Sequence, residues 1–352
     1  MLSTHSAAES DTRTEAGELR ERLRIWLADE TGDPHVAVTV PTRTTMGFSR
    51  ENWFFDASWT AAGARRDARL VARRDPAGSV LDSDRAVEAA LLAALHGTRV
   101  PVPALHWVDL SGARAGRPTL VMDRMPGDCR PFVLAGPLPE DERVALAGRF
   151  CDELAAIHGL DVTATGVADV LPDPGRGAAH AAVDHWEAEL RKAQLGPEPE
   201  LEYVLAWLRT TAPANAGPTT LVHGDFKPGN LLIRDGRVTA VLDWETAHLG
   251  DPLEDVGWVT NPLRAREHLV PGCWEREDFI AGWERRTGRA ADRAAVRWWN
   301  VLANLKLTVL VLAGQKALLD GRYDRITQTP VTLTRLLFEL IRTHEHESGG
   351  SA

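Results

Sequence analysis

A chain of 352 residues, 44% of them hydrophobic, is long enough for one large or two medium domains with a full core. Its formal net charge of -10 argues against a general nucleic-acid binder, whose footprint is a basic surface. Cys129, Cys151 and Cys273 are scattered and odd in number, so neither a zinc site nor a disulfide framework is expected, and the chain reads as cytoplasmic. The polar start carries no signal-like apolar stretch, and no long uninterrupted apolar run predicts a membrane partner.

In chain order, residues 1 to about 12 are small and polar and read as a disordered tail. Glu15 to Ala28 carries Leu19, Leu23, Ile25, Trp26 and Leu27 at helical spacing, which predicts an amphipathic helix. Val36 to Val40 and Trp53 to Asp56 read as strands flanking a turn that holds Gly47-Phe48-Ser49. Ala68 to Arg74 is the next strand. Side chains alternate along it, so Arg73 and Arg74 point opposite ways, and spacing does not choose between them. A helix opens at Ser83-Asp84 and runs to His96, with Glu88 one turn in. Strands at Ala104 to Val108 and Pro118 to Gly127 follow, the second ending in the break at Pro126-Gly127.

Beyond Gly127 the pattern turns helical. Pro139 to His158 is amphipathic, and His158 reads as a core or capping histidine. Residues 161–178 read as a long surface loop, rich in Pro, Gly, Asp and Ala. Ala179 to Ala193 and Leu201 to Thr211 form a helical pair with Trp186, Tyr203 and Trp207 on its faces. Trp274 to Thr287, Ala290 to Ala313 and Val331 to Arg342 close the chain, with Lys306 set in an apolar stretch and a frayed end from His344.

The informative stretch lies between the helical segments: Leu221-Val222-His223-Gly224-Asp225-Phe226-Lys227-Pro228-Gly229-Asn230, then Leu231 to Ile233, a tight turn at Asp235-Gly236 and a return strand ending on Asp243. Asp-Gly tolerates the positive φ of a two-residue hairpin, so Asn230 and Asp243 arrive at the same end as Asp225. Two carboxylates and a carboxamide are hard oxygen ligands of the kind that share Mg²⁺ with phosphates, with one carboxylate left to handle a proton.

His223-Gly224-Asp225-x4-Asn230, followed by Asp243-Trp244-Glu245, resembles the aminoglycoside phosphotransferase and choline-kinase-like branch of the protein-kinase fold. The resemblance covers about residues 36 to 342. It implies an α+β, two-lobed fold: a small antiparallel β-sheet N-lobe over residues 31–125, preceded by a tail and helix over 1–30, and a large, mainly helical C-lobe over 126–345, with a tail over 346–352. It implies ATP, or GTP, with Mg²⁺, and transfer of the γ-phosphate to a hydroxyl of a small molecule, such as an aminoglycoside, another hydroxylated antibiotic or a metabolite. In those terms Asp225 is the catalytic base and Asn230 and Asp243 hold the metal. Ser49, Arg73 with its partner Glu88, Lys227, and the backbone at Asp123 and Met125 hold the nucleotide. Asp251 of Gly250-Asp251-Pro252-x-x-Asp255 buttresses the catalytic loop, with His223 beside it and Asp255 in a similar role. The alternatives are a hydroxyacyl-CoA kinase and a non-catalytic nucleotide-binding module. The latter is expected to lack one of Asp225, Asn230 and Asp243, and all three are present.

Overall fold

The computed structural model describes residues 2–44, 51–75, 84–215, 217–321 and 330–349. The chain divides into two compact units, one of residues 1–96 with 103–125, the other of 97–102 with 126–352. The first contains α1 (Leu2–Thr31), β1 (Ala37–Val38), β2 (Thr42–Arg43), β3 (Glu51–Ala61), β4 (Ala64–Arg74), α2 (Arg85–Leu95), β5 (Leu105–Asp109) and β6 (Thr119–Asp123). Its strands form one antiparallel sheet in the order β1-β3-β4-β6-β5, with β2 also on β3. Ala62 and Gly63, both with positive φ, make the tight β3–β4 turn. Period-two alternation turns Trp53, Phe55 and Ala57 of β3 to one face, where Leu19, Leu23, Trp26 and Leu27 of α1 bury them with Leu70, Ala72 and Val121.

Two expectations change here. The helix begins at Leu2, so the first residues are helical rather than a disordered tail. No proline or glycine precedes Gly17 to interrupt it. The strand expected over Val36 to Val40 shrinks to Ala37–Val38, because Pro41 has no N–H to extend the ladder.

The second unit contains α3 (Glu140–His158), α4 (Val167–Val170), α5 (Ala178–Ala193), α6 (Pro199–Thr210), β7 (Thr220–Val222), β8 (Leu231–Arg234), β9 (Arg237–Val241), β10 (His248–Gly250), α7 (Leu253–Val259), α8 (Ala265–His268), α9 (Arg276–Thr287), α10 (Arg293–Leu319) and α11 (Pro330–Gly349). Two short antiparallel pairs, β7–β10 and β8–β9, sit among the helices. The expected surface loop over 161–178 holds the one-turn helix α4. The expected frayed end is the last turns of α11. There Trp207 Nε1 donates to Glu345 at 3.1 Å and Arg297 pairs with Glu347 at 2.8 Å, which ties the helix down.

By length and composition α10 would reach across a bilayer, but 56% of its apolar window is buried inside the protein. Its Asn300, Asn304 and Lys306 are buried and hydrogen-bonded to backbone, as in a core helix.

Candidate active site

β7 pairs with β10 through Val222↔His248 and Thr220↔Gly250, which sets where residues 223–227 leave the sheet. Gly224 has φ +80°, and a Cβ there would lie 2.7 Å from the Thr246 carbonyl oxygen. Glycine is therefore required between His223 and Asp225. The β8–β9 hairpin turns at Asp235 and Gly236, both with positive φ. Leu242 N–H donates to the Asn230 carbonyl at 2.8 Å, so Asn230 and the residue before Asp243 are joined directly. Asp243 adopts φ 69° and ψ 57°, a left-handed conformation sparsely used by residues with a Cβ.

The Asp225 carboxylate is the hub. Its Oδ2 accepts from Lys227 Nζ at 2.7 Å and from Asn230 Nδ2 at 3.0 Å, and Asn230 Nδ2 also donates to the Asp225 carbonyl at 2.9 Å. Burial pushes this carboxyl up, but Lys227 and Lys306 more than offset it, so its pKa lies below the ordinary aspartate value. With its amide nitrogen turned to Asp225, Asn230 keeps its oxygen as the group to offer a cation.

The loop is fixed from beneath. His223 N–H donates to Asp255 Oδ2 at 2.7 Å and Gly224 N–H to Asp255 Oδ1 at 2.9 Å. His158 Nε2 lies 3.1 Å from Asp255 Oδ2, and Trp283 Nε1 donates to His158 Nδ1 at 2.9 Å. His158 is thus a core histidine, in the neutral tautomer with its proton on Nε2. Burial pushes Asp255 up, but the hydrogen bonds from His158 and from the His223 backbone hold it below the ordinary value. His223 Nδ1 accepts from the Asp225 N–H at 3.2 Å and Nε2 faces the Leu242 carbonyl at 3.0 Å, while burial depresses its pKa and keeps it neutral. Trp244 packs on the His223 ring with centroids 4.6 Å apart.

The buttress expected at Asp251 is therefore supplied by Asp255. Asp251 Oδ1 accepts from Leu253 N–H at 2.9 Å, a contact that starts α7 and leaves the loop alone. Lys306, one of four lysines in the chain, is a group to which sequence reasoning gave no role. It donates to the Gly224 carbonyl. A lone lysine among Leu302, Ala303, Leu305 and Val309 was the available signal.

In the first unit, Arg73 Nε lies 3.4 Å from Glu88 Oε1, and Arg85 Nη1 donates to Glu88 Oε2 at 3.1 Å, all three side chains being buried. Arg74 turns to the opposite side, where it meets Glu15 of α1 at 3.2 Å. The Asp123 N–H is taken by the Ala104 carbonyl at 2.9 Å. Met125 follows as the last residue of this unit, and Ser49 lies outside the described residues.

The profile of the phosphotransferase enzyme family (APH) matches residues 45–299. The chain belongs to this family. As a phosphotransferase it is 30% identical over 234 residues to acyl-CoA dehydrogenase family member 11 of Rattus norvegicus, covering 64% of this chain and 28% of that protein. It is 32% identical over 202 residues to family member 10 of Mus musculus, covering 54% of this chain and 18% of that one. The chain thus spans under a third of the length of either relative. Among solved structures, one from Ralstonia eutropha, provisionally described as an aminoglycoside phosphotransferase, is 20% identical with a TM-score of 0.68, covering 92% of this chain and 96% of the other. A thermostable mutant of aminoglycoside phosphotransferase APH(4)-Ia, in ternary complex with AMP-PNP and hygromycin B, is 19% identical with a TM-score of 0.56, covering 91% and 97%. These likenesses show the protein-kinase-like fold: a small antiparallel sheet unit and a largely helical one.

Proposed function

We propose that this phosphotransferase moves the γ-phosphate of ATP, or GTP, to a hydroxyl of a small molecule. The observation that carries the reading is the Asp225 loop: a carboxylate held ionised and bonded to Asn230, whose carbonyl is joined to Leu242, the residue before Asp243. Asp225 orients the acceptor hydroxyl and takes its proton as the new O–P bond forms. Asn230 and Asp243 would hold Mg²⁺, since they are hard oxygen donors and leave positions for phosphates. Bound there, the metal supplies charge neutralisation on the phosphate oxygens. Lys227 is assigned to the transferred phosphoryl group, Arg73 with Glu88 to the α/β-phosphates, Ser49 to the phosphate-covering turn, and the Asp123 and Met125 backbone to the base. AMP-PNP in a structural neighbour supports ATP as donor, and the hygromycin B bound with it supports a small-molecule acceptor.

A second reading of the acceptor, a hydroxyacyl-CoA, is favoured by the acyl-CoA dehydrogenase names of the relatives. A coupled ADP-release screen over aminoglycosides, other hydroxylated antibiotics, amino alcohols and hydroxyacyl-CoAs tests both. With the acceptor found, Asp225→Ala lowers kcat by about 10²–10⁴-fold, the usual worth of a positioned base, with an unchanged circular dichroism spectrum. Full transfer by that variant removes Asp225 from the mechanism. ATP binding by the wild type without ADP release on any acceptor turns the reading to a non-catalytic nucleotide-binding module.

A further inference from the structure

Beside the Asp225 loop, α5, α7 and α10 enclose a recess lined by Trp186, Gly224, Glu254, Trp258, Trp299 and Lys306. Indole faces with a carboxylate nearby are the makings of a site for an organic cation, because the ring quadrupole attracts ammonium groups. The recess already holds one. Lys306 Nζ lies 4.7 Å from the Trp258 ring centroid and 5.2 Å from that of Trp186, and it donates to the Gly224 carbonyl. The side chain is buried. With it in place the free space in the recess is about 10 Å³, room for a single water. That is far short of the roughly 300 Å³ at which small-molecule pockets begin, so the lysine fills the recess.

The charges around the recess are answered in the same way. Asp225, Glu254 and Asp255 face Lys306, with Lys227 and His185 also near it. Asp225 is paired with Lys227 and Asp255 is spent on His158 and the loop N–H groups. Glu254 is paired with His248 at 3.0 Å. Among the described residues, the carboxylates that face Lys306 are thus each already paired. The chain's net charge of -10 therefore says nothing about what this recess takes.

We propose that Lys306 sets acceptor specificity: as a tethered ammonium in the aromatic recess, it excludes cationic acceptors and admits an uncharged or anionic hydroxy compound to Asp225. The proposal rests on the reading of Asp225 as the base that receives the acceptor.

Tetramethylammonium chloride, titrated against tryptophan fluorescence, is the first probe. Lys306→Ala binds it tighter than the wild type by roughly tenfold or more, and adding Trp258→Leu abolishes that gain. Equal binding by the wild type and a folded Lys306→Ala overturns the proposal. The second probe is ADP release with amino alcohols and aminoglycosides against uncharged and anionic hydroxy compounds. The wild type favours the latter. Lys306→Met, which keeps most of the side-chain volume, shifts the kcat/KM ratio toward the cationic acceptors by roughly tenfold or more. An unchanged ratio overturns the proposal even where Lys306→Ala fails to fold. If no acceptor gives ADP release, the phosphotransfer reading falls, while the tetramethylammonium titration still decides on Lys306.

Discussion

The Asp255 carboxylate is fully buried, yet it is matched by the His223 and Gly224 N–H groups and by His158. A buried charge satisfied in this way becomes a liability once its partners are left alone. Asp255→Ala strands two loop N–H groups and the His158 proton, and costs about 3–5 kcal/mol, the range for breaking a buried pair. Urea denaturation reads that loss, and ADP release falls with it because the backbone that carries Asp225 is released. Asp251→Ala removes one contact to Leu253 N–H and costs about 1 kcal/mol. If the two losses come out equal, the buttress is misassigned. Both aspartates stand in Gly250-Asp251-Pro252-x-x-Asp255, and the motif by itself gives no reason to prefer the second. The choice is made by the β7–β10 pairing, which swings the start of α7 under the loop, and a long-range pairing of three-residue strands leaves little trace in sequence.

At the scale of elements, β4 was legible in outline and ambiguous in detail. Alternation told that Arg73 and Arg74 point apart; only the packing of α2 on one side and α1 on the other shows that Glu88 meets Arg73 and Glu15 meets Arg74. The β8–β9 hairpin was legible at its turn, because Asp235-Gly236 encodes it locally, but the register shift between Leu232 and Ile233 was not. The α7–α10 contact was not. Gly257 lies flat against α10, and a Cβ there would come within 2.5 Å of the Trp299 Cβ. Asn300 Nδ2 also donates to the Gly257 carbonyl at 2.6 Å. The approach leaves no slack, so Gly257→Ala forces the helices apart despite its better helix propensity, at a cost of about 1–3 kcal/mol. A thermal melt shows it as a lower Tm. Since α7 carries Glu254, Asp255 and Trp258 while α10 carries Lys306, the same variant also raises the acceptor KM. A Tm at or above that of the wild type means that the helices can yield without strain.

Over the whole molecule, titration behaviour depends on which charges each unit buries. The fold class was legible through the family resemblance carried by the local spacing of Asp225, Asn230 and Asp243. The charge pairs that set stability against pH join different elements, His158 of α3 with Asp255 of α7 and His248 of β10 with Glu254 of α7, and these were not legible. In the second unit, Asp225 and Asp255 are held below the ordinary aspartate value, so the stability they add is present above that value and lost as pH falls through the folded one. His268, pushed down by burial to about 3, is kept neutral and works in the same direction. His248 is the opposite case. Burial pulls it down, but Glu254 more than offsets this and lifts it from 6.5 to about 9. Its contribution is therefore full below about pH 6.5 and disappears as pH rises through 9. The His248 side chain is 38% exposed, so solvent screens part of the effect. Stability accordingly declines on the alkaline side between these values, and His248→Gln flattens the decline while leaving the acid side unchanged. Urea midpoints at pH 5, 6.5 and 9 for both chains measure it. An alkaline limb equally steep in His248→Gln would move its origin away from the His248–Glu254 pair.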